Sequence, residues 1–177
     1  MVRLCRKFLY LCKDAKNNLI QEGRVALVQQ VNVYIEQSFQ GNFREGDGKY
    51  SIVLELETAK GIVTREHYKG YRSTSKNRLA ILACIEALEH ITKPCEVNIF
   101  LNSPYMETSS RWLNEWVKEG LENRKNGDLW EKYRAVAEKH LVTIKNQKIN
   151  SYTPAMKIQL GVKKIIMLTD YQPQNEI

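Results

Sequence analysis

The chain predicts a mixed α/β sheet with helices on both faces. Three observations carry that expectation. Val31, Val33 and Ile35 alternate with Asn32, Tyr34 and Glu36, and a Lys60-Gly61 turn joins two further runs of strand character. Helical patterning begins only after these strands, at Thr74-Ser75, and an apolar strand follows it at Val97. Period-two alternation marks a strand with one buried face. A helix inserted between the third and fourth strands demands a crossover connection, so the sheet cannot be purely antiparallel.

The elements follow in order. After Val31–Glu36, the turn-rich stretch from Gly41-Asn42 to Gly48 leads into a second strand, Tyr50–Glu57, with Ile52, Leu54 and Leu56 on one face. Lys60-Gly61 is a hairpin turn into a third strand near Ile62–Tyr68. Thr74 or Ser75 caps a helix whose apolar residues Leu79, Leu82, Ala83, Ala87 and Leu88 recur at helical spacing and end before Pro94. Val97, Ile99 and Leu101 form a fourth strand. Ser103 caps the next helix with Pro104 at its first position, where a missing N–H costs nothing. Tyr105, Ser109, Trp112, Leu113, Trp116 and Val117 make its inner stripe, and Gly120 stops it. Asp128, with Glu131 three residues on, reads as a capping box opening a third helix through Trp130, Tyr133, Ala137 and Leu141. Leu141–Ile149 is a fifth strand. Residues 1–30 fit either a hairpin around Lys16-Asn17-Asn18 or a short helix, and Ile165–Leu168 fits either helix or strand.

Composition narrows the class. A chain of 177 residues, 43% hydrophobic and 27% charged, suits one ordinary domain with a real core. A net charge of +7 favours a polyanionic partner over a neutral one. Cys5, Cys12, Cys84 and Cys95 form no C-x-x-C pair and stand at no zinc-finger spacing from His67, His90 and His140, so they read as reduced, mostly buried thiols. The apolar run Phe8–Leu11 is too short for a signal-peptide core and nothing later is long enough to span a bilayer. The expectation is a cytoplasmic protein with no membrane partner.

Several stretches carry a likeness to a known family. Gly41-Asn42 follows the first strand, and Gly70-Tyr71 leads into Thr74-Ser75-Lys76-Asn77-Arg78. Ala87-Leu88-Glu89 and Cys95-Glu96-Val97 flank the fourth strand, Asn102-Ser103 ends it, and Trp112, Trp116 and Asp128-Leu129-Trp130 mark the helical half. Together they resemble type 1 ribonuclease H, in register from about Val31 to Leu160. The resemblance implies a ribonuclease H-like fold: a five-stranded mixed sheet, strands one to three antiparallel, with helices on both faces. It divides the chain into an extension (1–30), the domain (31–160) and a basic tail (161–177). The extension and the tail are expected to pack on the domain, because Phe8–Leu11 and Ile165–Leu168 are too apolar to be left in water.

The family cuts the RNA strand of an RNA–DNA hybrid with two magnesium ions, which repel each other and are held by four carboxylates. Here the resemblance places Glu36, Ala80, Asn102 and, if Pro154 sets the register, Leu160 at the acid positions. Only Glu36 is a carboxylate, and Lys145–Tyr152 lacks the family's histidine. The implied site therefore binds no metal, needs no cofactor and has no functioning catalytic residue. Glu45, Asp47 and Glu107 are the nearest substitute acids, and each also reads as a solvated loop or first-turn charge.

Ser75, Lys76, Asn77 and Arg78 stand where the family contacts its nucleic acid, with capping by Ser75 as their structural alternative. Trp112 and Trp116 read as core rather than as a base-stacking platform. The family's basic loop is represented by Glu119–Asn126, diluted by two glutamates, so a composite of Arg3, Arg6, Lys7, Lys163 and Lys164 is the expected basic surface. Three functional readings follow: an inactive ribonuclease H-like protein binding hybrid or duplex, a protein-interaction or structural module, and a weak or altered metal-dependent hybrid nuclease. The sequence fixes no oligomeric state.

Overall fold

The computed structural model describes residues 29–42 and 45–162, and the backbone of 168–170. Five expected strands are present: β1 (Gln30–Gly41), β2 (Gly46–Thr58), β3 (Gly61–Thr74), β4 (Glu96–Leu101) and β5 (Leu141–Asn146). β1 pairs antiparallel with β2, which pairs antiparallel with β3, while β4 runs parallel to both β1 and β5. The order is β5-β4-β1-β2-β3, and a short strand β6 (Leu168–Asp170) lies parallel to β3 at Gly70–Arg72 on the outer edge. The remainder of the tail and the expected hairpin or helix within residues 1–28 lie outside the described residues.

The helices are α1 (Lys76–Glu89), α2 (Pro104–Glu119), α3 (Gly127–Ala137) and α4 (Thr153–Val162). α1 begins where Ser75, in extended conformation, accepts the Arg78 backbone N–H on its side chain. Ser103 does the same for Met106 at the head of α2, with Pro104 in the first turn. Gly120, at φ 95°, ends α2 in a conformation that side chains with a Cβ rarely adopt.

Alternation along β1 sorts the two layers. Val31, Val33 and Ile35 pair with Leu56, Leu54 and Ile52 and with Val97, Ile99 and Leu101, and all of these but Leu56 are buried. They meet Leu79, Ala83 and Leu88 from α1, Met106 and Leu113 from α2, and Leu129, Trp130 and Tyr133 from α3 in one core. Gly48 lets β2 approach α1, since a Cβ there would sit 2.7 Å from a Leu79 methyl. The opposite face is more polar and carries α4: Tyr152 Oη donates to Glu55 at 2.5 Å, and Ser51 Oγ donates to Gln159 at 2.6 Å. The helices thus cover both faces, as expected, but α4 is visible in the sequence only through the family likeness.

Two local expectations are corrected. Trp112 is 56% exposed, because the buried face of α2 centres on Met106, Ser109 and Leu113 and leaves Trp112 on its flank. Asp128 is not a cap: α3 starts one residue earlier from Asn126, which holds φ 64° and makes no side-chain cap bond. The Asp128 carboxylate turns away to Arg78 instead.

Trp130 is fully buried, donates its indole N–H to Tyr105 Oη at 3.1 Å, and meets Trp116 and Tyr133 edge-on. Trp130→Ala is expected to cost about 3–5 kcal/mol, read as a lower urea midpoint in equilibrium unfolding at unchanged slope.

Candidate nucleic-acid interface and the Glu36 site

β1 and β4 run side by side in the same direction, with Ile35 opposite Leu101. Asn102 is the next residue after the carboxyl end of β4, and Glu36 lies midway along β1, opposite Ser51 of β2 and one residue past the last pair with β4. Ligands of open α/β sheets gather at such ends. Glu36 is nearly buried, at 9%, whereas Asn102 is exposed and belongs to the short link before Ser103 caps α2. Ala80 is buried in α1 and offers only a methyl group.

α4 also reaches Glu36. Thr153, buried at the start of that helix, and Lys157, one turn further, lie against Glu36. Leu160, the residue expected there, is buried a further turn along, roughly 10 Å beyond Thr153 at the rise of an α-helix. The helix begins at Thr153, fixed by the Asn150 N–H donating to Thr153 Oγ1 and the Tyr152 N–H donating to Asn150 Oδ1. That Asx-type turn is the one local signal in the sequence for this placement.

Burial raises the Glu36 carboxyl above its ordinary range, against the opposing pull of the Lys157 ammonium, the Thr153 hydroxyl and the Gln37 backbone N–H. Among the described residues no cluster of three His, Cys, Asp or Glu ligand atoms includes Glu36. Of the substitute acids, Glu107 pairs with Arg111 at 2.9 Å along α2, and Glu45 sits in a turn where its backbone N–H donates to Asn42 Oδ1.

The four residues expected to meet nucleic acid divide into two kinds. Lys76 is exposed and Asn77 half-buried on the first turn of α1, which contains no acidic residue. Ser75 is committed to capping. Arg78 forms a two-pronged ion pair with Asp128, 2.6 and 3.1 Å, and also donates to Asn126 Oδ1 at 3.2 Å. It ties α1 to α3, so its charge is balanced internally. In the basic loop Arg124 pairs with Glu119 and lies over the Trp116 ring. The proposed terminal cluster of Arg3, Arg6, Lys7, Lys163 and Lys164 lies outside the described residues.

A mixed sheet of this order, with three helices on one face and one on the other, defines the ribonuclease H-like fold. The sequence profile of the RNase H family matches residues 28–151, and the chain belongs to that family. A ribonuclease H of Lachnoclostridium phytofermentans is 34% identical over 122 residues, covering 64% of this chain and 77% of the relative. One from Methylococcus capsulatus is 33% identical over 119 residues, with 64% and 73% covered. A solved type 1 RNase H with the type 2 active-site motif superposes with a TM-score of 0.64 at 23% identity, over 75% of this chain and 70% of that one, and bears on the fold alone.

Two outcomes are expected. Glu36 has a raised pKa in the folded state, so the folded protein holds its proton more tightly than the unfolded chain does. This contribution to stability is present in acid and is lost as pH rises through the folded value. Glu36→Gln should therefore raise the thermal midpoint at neutral pH, with the gain vanishing as pH falls below the ordinary glutamate range. Separately, Arg78→Ala is expected to lose about 1–3 kcal/mol in urea unfolding, because it removes the two-pronged partner of a half-buried Asp128. A double-mutant cycle with Asp128→Ala should recover part of that loss.

Proposed function

We propose that this chain is a nucleic-acid-binding member of the RNase H family that does not perform two-metal hydrolysis. The observation that carries the reading is the set of side chains at the family's acid positions: Glu36 meets a lysine ammonium and a threonine hydroxyl from α4, Asn102 follows the neighbouring strand, and Ala80 on α1 offers only a methyl group. Two magnesium ions bring four positive charges and take hard anionic oxygens. These positions supply one carboxylate and one cation, so the donor set does not fit the metal pair. The relatives' name, ribonuclease H, gives the reaction class that the fold would serve if it were active; the side chains at the acid positions argue that it is not.

Binding is supported by separate features. The net charge is +7, and α1 presents Lys76 and Asn77 on a first turn whose free backbone N–H groups favour an anion. Trp112, out in solvent on α2, offers an aromatic face of the kind on which an unpaired base stacks. We assign an RNA–DNA hybrid or other duplex as the ligand class, recognised mainly through its backbone.

The test is binding of the purified chain to hybrid, duplex and single strands across a salt series, with cleavage of the hybrid assayed in magnesium and in manganese. The expected result is binding that weakens steeply with salt, a slope reduced by about one in Lys76→Ala, and no cleavage with either metal. Binding indifferent to salt or absent would instead favour the interaction-module reading. Metal-dependent cleavage that disappears in Glu36→Ala would overturn the proposal.

A further inference from the structure

On the face of the sheet opposite Glu36, three side chains with no part in the reading above converge. His67 is opposite Ile52 in the β2–β3 register, so it points to the α1 layer, where Glu86 and His90 stand one helical turn apart. One ligand atom from each lies within 4.8 Å of the others. The two imidazoles are nearly parallel, with centroids 3.5 Å apart, and Glu86 Oε1 is 3.9 Å from His90 Nε2.

We propose that His67, Glu86 and His90 form a binding site for a divalent transition-metal ion of the zinc type, joining β3 to the last turn of α1. Two imidazole nitrogens and one carboxylate oxygen are a borderline-soft donor set that suits zinc, with a fourth position open to water. At bond lengths of about 2.0–2.1 Å, tetrahedral ligands stand roughly 3.3 Å apart, so closure asks for ligand-atom shifts of about 1.5 Å at most, together with a rotation of the stacked imidazole rings that turns both in-plane lone pairs toward one ion.

Three features prepare the site. His67 Nε2 is buried and makes no hydrogen bond, a position that a metal bond would satisfy. Burial and the neighbouring His90 hold the His67 imidazole below its ordinary pKa, which favours the neutral form a metal requires. Finally, the two oxygens of Glu86 are divided in their tasks. Oε2 accepts from the buried Tyr50 hydroxyl at 2.5 Å and faces Lys69 at 3.5 Å, which leaves Oε1 turned toward the histidines. Carboxylate ligands are commonly oriented by such an outer hydrogen bond. Lys69 is the competing cation; its side chain is 39% exposed and also lies over the Tyr71 ring, which can hold it once the carboxylate takes a metal.

The test uses the full chain, stripped of metal by chelator and then titrated with zinc. The chain has three histidines, so imidazole nitrogen NMR reads each one without any substitution. Zinc should bind with a stoichiometry of one, shift His67 and His90 while leaving His140 in place, and raise the thermal midpoint. His67→Ala and His90→Ala should each weaken binding by at least about tenfold, and Tyr50→Phe by about tenfold through the freed carboxylate. Cobalt in place of zinc should give the visible bands of a four-coordinate nitrogen–oxygen site. No saturable binding, a shift at His140, or zinc affinity undiminished in the double variant His67→Ala/His90→Ala would overturn the proposal. Magnesium at equal concentration should leave all three histidines unmoved.

Discussion

β1 lies between an antiparallel neighbour and a parallel one, so from Val31 to Ile35 its backbone is paired on both sides and its register cannot slip without penalty. A shift of one residue would bring Asn32, Tyr34 and Glu36 into the apolar core and turn Val31, Val33 and Ile35 out. That constraint fixes the rest. The core face of β1 selects α1 and the helices packed behind it, while its polar face selects α4 through Ser51 and Glu55 on the adjoining strand. The position of Glu36 follows from the same alternation, whatever chemistry the residues around it can support.

Charge at the nucleic-acid face is governed by where cations are already answered. Arg78 belongs to the likeness with the family, yet its guanidinium is matched in both planar directions by Asp128, an arrangement only arginine can make. Arg124 is likewise matched by Glu119 and covers an indole ring. Lys157 is exposed, yet close enough to Glu36 for its charge to act on that carboxyl. A basic sequence therefore presents less free positive charge on its surface than its composition suggests, and the exposed Lys76 carries correspondingly more of any phosphate contact.

The strands and caps were legible because their signals are local. Alternation in Val31–Glu36, the turn at Lys60-Gly61, the Ser75 and Ser103 caps and the Gly120 stop each depend on a few adjacent residues, and the structure has them in place. The site was legible in part. Glu36 is tied to the alternation of β1, Asn102 to the end of β4 and Ala80 to a capped helix, but α4 has short apolar runs and no strong stripe, so the placement of Leu160 rests on Pro154 alone. Trp112 was misread because periodicity finds a stripe without finding its centre. The His67–Glu86–His90 cluster left half a signal, the one-turn spacing of Glu86 and His90. The third member depends on how β3 lies against α1, which no spacing records.

The outer edge of the sheet has a consequence for the protein in crowded solution. β6 covers β3 only at Gly70–Arg72, and along the stretch from Gly61 to Glu66 the structure describes no further strand beside it. Ile62 and Val63 are exposed there, an invitation to another chain's strand. Arg65 and Glu66 follow at once, both facing solvent, and any strand laid in register against a second copy of this edge would have to bury charge beside backbone. Self-association through fibril-like stacking is thereby opposed where, among the described residues, the sheet's hydrogen bonding is left unfinished beside exposed apolar side chains.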